Sequence, residues 1–282
     1  MIPTGSARLA GVVGWPVSHS RSPRLHGYWL DRYRIDGLYM PLAVAPRDFE
    51  TALRALPVLG FKGVNVTVPH KEQACHLVDR IDPWARRVGA VNTITIAADG
   101  ALTGSNTDGY GFLENLKTSR PDWRAGDGPA VVIGAGGAAR AIVAAMAEAG
   151  STEIRLVNRT RKRAEALALA LNYDCVSIHD WKTRAAIIGG ASVVVNTTVL
   201  GMTGKPPLDL ALDDLKPDAV VADIVYAPLE TPLLAAARAR GNPVADGLGM
   251  LLHQARPGFK SWFRVEPEVT TQLRDFVAAG PG

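Results

Sequence analysis

The sequence predicts an α/β protein of two domains, each built on a largely parallel sheet. Three observations carry that expectation. Short apolar runs alternate with helix-length segments along most of the chain, and a glycine turn joins one such run to an alanine-rich helix near its middle. A Pro/Gly/Asp-rich connector, SRPDWRAGDGP, interrupts the alternation over residues 119–129. At 282 residues the chain also exceeds the usual length of one domain.

The elements follow in order. RLAGVVG, LYMPLAV and GVNVTVP (residues 8–14, 38–44 and 63–69) read as strands, and residues 22–35, 46–60 and 70–81 as the helices that follow them. Strands and helices of this length in alternation indicate parallel β-α-β units. AVNTITIAADG and ALTGSNTDG form a hairpin about Asp99-Gly100, and GYGFLENLKTS is helical. After the connector, VVIG, EIRLVN, ASVVVNTT, AVVADIVY and PVADG are expected as strands with helices between them. The last two segments, residues 247–263 and 265–280, read as helices with no further strand. Their pattern leaves open which domain receives them.

Composition narrows the function classes. With 47% hydrophobic and 21% charged residues the chain has an ordinary soluble mixture. The formal net charge is +4, but lysines and arginines are scattered and Arg161–Arg163 is the only three-residue run, so no nucleic-acid partner is expected; a small anionic molecule fits. Cys75 and Cys175 stand alone without C-x-x-C spacing, which points away from a disulfide framework or metal site and towards a reducing compartment. Neither a leader pattern nor an apolar stretch of about 18 residues is seen. A cytoplasmic protein without a membrane partner is therefore expected.

The glycine turn predicts a nucleotide cofactor. In AVVIGAGGAAR the turn lies between strand and helix; Gly134 allows the bend, Gly136 lets backbone approach a pyrophosphate, and Ala139 permits close helix packing. Free N–H groups and the helix dipole favour an anion there. The next strand ends in Asn158-Arg159-Thr160-Arg161-Lys162-Arg163, where an NAD enzyme usually places an acid. A basic tip suits a 2′-phosphate. At about 1.5–3 kcal/mol for each charge-assisted bond, two arginines favour NADP over NAD by roughly two to four orders of magnitude.

Four polar clusters upstream supply candidate chemistry: HSRSP at 19–23, NVTVPHK at 65–71, AVNT at 90–93 and NTDG at 106–109. Each sits at an expected strand end or helix start, where α/β folds bind ligands. Ser22-Pro23 reads as an N-cap followed by a first-turn proline. Capping needs one serine; Ser20 and Ser22 near free helix N–H groups form a candidate carboxylate site. Lys71 opens a helix, where the dipole opposes its charge, and an acid such as Asp108 beside it would make a positioned proton donor. Asn65, Thr67, Asn92 and Asn106 are either turn residues or ligand contacts.

Taken together, the clusters resemble the shikimate dehydrogenase family, which reduces 3-dehydroshikimate with NADPH. The likeness runs in one order through HSRSP, NVTVPHK, AVNT, NTDG, GAGGAAR, NRT, DIVYAPLETPLL and DGLGMLLHQA, over residues 11–256. It implies a substrate domain of residues 1–108 completed by the C-terminal helices at 247–282. A Rossmann-like NADP domain of residues 109–246 would lie between, with the active site in the interdomain cleft. By the same resemblance Lys71 and Asp108 are the catalytic pair. Ser20 and Ser22 hold the substrate carboxylate, with Tyr226 near it, while Thr67, Asn92, Asp108 and Gln254 contact ring hydroxyls. Gly134, Ala135, Gly136, Gly137 and Ala138 form the phosphate turn, Asn158, Arg159, Thr160 and Arg163 the 2′-phosphate clamp, and Gly247 adjoins the cofactor. No metal is implied, and the protein would be a monomer or homodimer. The chain departs from the family's usual wording at Trp15, Gly27 and Val199. Two alternatives remain open here: an NAD-dependent quinate/shikimate dehydrogenase, and a nucleotide-sensing protein that keeps the fold without turnover.

Overall fold

A computed structural model describes residues 2–280. The chain divides into two compact units, Met1–Thr107 with Gln254–Gly282, and Asp108–His253.

Unit 1 begins with β1 (Arg8–Gly14), α1 (Ser22–Arg32), β2 (Gly37–Ala43), α2 (Phe49–Ala55) and β3 (Phe61–Val66). It continues with α3 (Lys71–Leu77), β4 (Arg80–Ile81), α4 (Pro83–Val88), β5 (Thr93–Ile96) and β6 (Leu102–Ser105). Its six strands lie in the order β2-β1-β3-β5-β6-β4. β1 is parallel to both β2 and β3, and β5 and β6 form the expected antiparallel hairpin. Burial on both faces explains the unbroken apolar run of β1, from Ala10 to Val13. Phe49, Leu53, Val64, Val66, Ile94 and Leu102 fill the core beneath. The helix expected over 70–81 stops at Leu77, and Arg80–Ile81 turns into an edge strand.

Unit 2 contains α5 (Asp108–Ser119), β7 (Ala130–Ile133), α6 (Gly137–Glu148), β8 (Ile154–Val157), α7 (Arg161–Leu171) and β9 (Val176–His179). Then come β10 (Val193–Asn196), β11 (Val220–Asp223), α8 (Pro232–Ala239) and β12 (Val244–Ala245). The strand order β12-β11-β10-β7-β8-β9, with every pairing parallel, is the doubly wound arrangement of a dinucleotide fold. Two details differ from the expectation. β9 forms where the sequence predicts no strand, because VSIH is a half-buried edge strand without a sustained apolar run. No helix forms over residues 197–219, although Leu208, Leu212 and Leu215 are buried at helix-like spacing. Pro206, Pro207 and Pro217 remove backbone donors and break such a helix.

The chain closes with α9 (Gly247–Phe263), which runs through the boundary between the units at His253 and Gln254, and α10 (Thr271–Ala278). Phe259 and Trp262 pack with Trp29, Tyr39 and His26 in unit 1, so the end of α9 serves that sheet. No helix among the described residues is long and apolar enough to cross a membrane.

Candidate active site

The candidate residues of unit 1 collect at the C-terminal ends of β1 and β3 and just before β5. Ser20 is half-buried in the loop after β1, Ser22 is buried, Thr67 follows β3, and half-buried Lys71 is the first residue of α3. The expected N-cap role of Ser22 is corrected. α1 starts at Ser22 itself, Arg21 occupies the cap position without a side-chain bond, and Ser20 Oγ accepts the Ser22 N–H at 3.3 Å. The acceptor lies two positions before the donor, so the backbone turns on Ser20.

Ser22, Asn92 and Gln254 are far apart in the chain yet share one buried network. Ser22 bonds the Tyr39 hydroxyl, which donates to Asn65 Oδ1 at 2.6 Å. Asn65 Nδ2 donates to the Asn92 carbonyl and to Thr93 Oγ1, both at 3.2 Å, which fixes the orientation of its amide. Thr93 Oγ1 donates to Asn92 Oδ1 at 2.9 Å, and the Thr107 N–H donates to the same oxygen at 2.9 Å. Asn92 Nδ2 then donates to Thr107 Oγ1 at 3.0 Å and Gln254 Oε1 at 3.2 Å, while Thr107 Oγ1 donates to the Gln254 carbonyl at 2.8 Å. Buried polar groups so thoroughly paired hold their side chains in one geometry. Burial keeps the Tyr39 phenol well above its usual pKa, hence neutral and a donor. Thr93 and Thr107 lie within the AVNT and NTDG clusters without an individual role in the sequence reading, and Tyr39 lies outside all four clusters. Tyr39 gave no signal, since it lies within an apolar strand and meets its partners only in the fold.

Two buried histidines flank this region. His26 is fully buried, stacks on Tyr39 with ring centroids 3.9 Å apart, and has its pKa lowered to about 3 by desolvation. His70 stacks on Phe49 and holds the Val44 carbonyl with Nε2 at 2.8 Å, tying the end of β2 to the residue before Lys71.

Unit 2 contributes a different construction. Gly134 follows β7 at φ +119°, a backbone most side chains avoid, and a Cβ there would strike Thr197 Oγ1. At Gly136 a Cβ would meet nothing, so space rather than internal packing lies above the N-terminus of α6. Gly136 is the cap of that helix and lends it no side-chain acceptor, and Gly137 and Ala138 form its first turn. An anion placed there would meet free N–H groups. The pairing of Ile133 with Val157 puts Gly134 and Ala135 beside Asn158 at the tip of β8. Arg159, Thr160 and Arg163 are exposed. Arg161 is held by Glu165 and Asp180, whereas Arg159 and Arg163 have no acid within ion-pair distance among the described residues. A glycine turn with open space above it, beside two uncompensated arginines, fits a dinucleotide carrying an extra phosphate.

Asp108 is the buried first residue of α5, Tyr226 is half-buried in the loop after β11, and Gly247 opens α9. A Cβ at Gly247 would strike the Ile224 carbonyl, so that loop lies directly on the helix start. Trp15, Gly27 and Val199, the three departures from the family wording, are all exposed. Among the described residues no group of three His, Cys, Asp or Glu side chains is placed to hold a metal.

Comparison with known proteins agrees in both units. A family model for the shikimate dehydrogenase substrate binding domain matches residues 12–94, and one for shikimate/quinate 5-dehydrogenase matches residues 122–200. The chain is 62% identical over 281 residues to the shikimate dehydrogenase (NADP(+)) of Rhodospirillum rubrum, covering 99% of each. Among solved structures, quinate dehydrogenase from Corynebacterium glutamicum with NAD superposes with a TM-score of 0.88 at 32% identity, covering 96% of this chain and 98% of that one. Shikimate 5-dehydrogenase from Thermus thermophilus with NADP(H) and shikimate gives 0.84 at 34% identity, again covering 96% and 98%.

Proposed function

This chain belongs to the shikimate dehydrogenase family, and from that premise we propose that it catalyses the reversible NADPH-dependent reduction of 3-dehydroshikimate to shikimate. It is an NADP-dependent oxidoreductase acting on a CH–OH group, a reaction of aromatic amino-acid biosynthesis through chorismate. The observation that carries the choice of cofactor is the tip of β8, where Arg159 and Arg163 stand uncompensated and no acid waits for a ribose hydroxyl. A 2′-phosphate supplies the missing negative charge.

Bound NADPH supplies a hydride to the ketone carbon, and the chain's residues handle everything else. The carbonyl oxygen becomes an alkoxide and must receive a proton. Lys71 donates it, and takes it back in the reverse direction, with Asp108 as the second catalytic group. General acid catalysis of this kind is worth about 10²–10⁴-fold. Ser20 and Ser22 receive the carboxylate, Tyr226 lies among its contacts, and Thr67, Asn92, Asp108 and Gln254 receive the ring hydroxyls. The buried network supports this role because Asn92 and Gln254 reach the site already oriented, which reduces the ordering cost of binding. Gly134 to Ala138 would cradle the pyrophosphate, Asn158, Arg159, Thr160 and Arg163 would hold the 2′-phosphate, and Gly247 would adjoin the cofactor. The enzyme is proposed to work in the cytoplasm as a monomer or homodimer.

A spectrophotometric assay with NADP⁺ or NAD⁺, each against shikimate and quinate, tests the reading. Turnover of shikimate with NADP⁺ is expected to lead. Faster turnover of quinate with NAD⁺ would favour the quinate reading that the Corynebacterium likeness raises, and no turnover of any pair would leave a sensor.

A further inference from the structure

Asp223 ends β11 as a buried carboxylate with no cation among its partners. Burial raises its pKa to about 6 against three opposing hydrogen bonds. An uncompensated buried charge is costly, so its retention calls for a reason. The bonds supply one. Oδ1 accepts the Val225 N–H and Asn196 Nδ2, each at 3.0 Å, and Oδ2 accepts Thr231 Oγ1 at 2.8 Å. Thr231 is also the N-cap of α8, its hydroxyl oxygen accepting the Leu234 N–H at 3.3 Å.

Donors therefore arrive on both oxygens. A carboxylate accepts on both oxygens, whereas an asparagine there keeps one acceptor oxygen and puts an N–H₂ in place of the other. The three donors also come from informative places. Val225 lies at the start of the loop that carries Tyr226, Thr231 lies at its end, and Asn196 ends the neighbouring strand β10. Asn196 extends the grip, its Oδ1 accepting Thr198 N at 3.0 Å and Thr198 Oγ1 at 2.8 Å, and its Nδ2 also donating to the Leu200 carbonyl at 3.0 Å. One carboxylate thus pins both ends of the Tyr226 loop and, through one amide, the loop after β10.

We propose that Asp223 is the positioning residue for Tyr226, fixing by its two-sided acceptance the loop that presents Tyr226 to the substrate. This rests on the assignment of Tyr226 to the substrate carboxylate made above. Asp223 touches neither substrate nor cofactor in this role. Its effect should therefore run through Tyr226 and through KM, not through an independent loss of stability.

The test is a double-substitution cycle on the full-length enzyme with shikimate and saturating NADP⁺. Asp223→Asn and Tyr226→Phe are each expected to raise KM for shikimate about tenfold while kcat changes less than about threefold. The double variant is expected to stay near the single variants, because the second change removes what the first has already displaced. Multiplication of the two factors, or an unchanged KM in Asp223→Asn, overturns the proposal. Should Asp223→Asn fail to fold, Thr231→Val and Thr231→Ser replace it. Valine should raise KM and serine, which keeps the hydroxyl, should restore it; equal KM values for the two overturn the proposal. Wild-type enzyme without shikimate turnover would instead sink the functional reading, and the positioning role with it.

Discussion

The two units prepare for their ligands by opposite means. Unit 1 holds its polar side chains inside the protein, in a chain of bonds from Ser22 through Tyr39, Asn65, Thr93 and Asn92 to Gln254. Unit 2 keeps its cations outside: the turn at Gly136 and the arginines at 159 and 163 are exposed. A rigid, many-contact site discriminates closely related small molecules, since every donor left unmatched costs about 1–3 kcal/mol. An exposed phosphate clamp reads charge, and salt screens it. On the proposed assignment, most substrate contacts are built into folding in unit 1, with Asp108 and Tyr226 added from unit 2, while cofactor choice in unit 2 is a separable surface property.

The largest effect expected is on chemistry. Lys71→Ala should lower kcat by at least about 10²-fold with little change in KM, in steady-state assays of shikimate oxidation. Unchanged kcat would remove the amine from the mechanism and leave unit 1 a binding lobe only.

The next sharpens the contrast through pH, because the units bury groups of opposite kind. His26 has its folded pKa lowered to about 3 by desolvation, so its contribution is full above the unfolded value of 6.5 and is lost as pH falls. By pH 5 the loss amounts to about 2 kcal/mol. Asp223 has its pKa raised to about 6, also by desolvation, so its contribution is present below the unfolded value of 3.8 and is lost as pH rises through about 6. Hydrogen exchange at pH 7 and pH 5, corrected for intrinsic rates, should show protection falling around α1 and β2 and holding or rising around β10 and β11. His26→Phe should abolish the fall in unit 1. Equal loss in both units would break the comparison.

Smaller again is the clamp. Arg159→Ala should weaken NADP⁺ binding about tenfold, one charge-assisted bond, and the wild-type advantage should shrink as salt rises. No shift in the thermal midpoint is expected, since the guanidinium is exposed and unpaired. A loss of stability in this variant would show that the clamp is part of the fold after all.

Much of this was legible beforehand, and the two units differ there as well. Unit 2 announces itself in sequence, because glycine spacing and a basic strand tip are local features whose meaning depends on neighbours along the chain. The fold class, the hairpin about Asp99-Gly100 and the helix at 247–263 follow from periodicity in the same way. Tertiary partners were not legible. Tyr39 belongs to β2 but meets α1 and β3, and Asp223 looks like a lone acid closing an apolar run until Thr231 and Asn196 arrive. Ser22 misleads because serine before proline describes a cap, whereas the backbone turns on Ser20 two positions earlier.

The division of labour is tested most directly by titrating Ser20→Ala and Arg159→Ala, as full-length proteins, separately with shikimate and with NADP⁺. A crossed pattern is expected: the serine variant loses about fivefold or more in shikimate affinity and keeps its NADP⁺ affinity, and the arginine variant does the reverse. Either variant weakening the other ligand by a similar factor would contradict it.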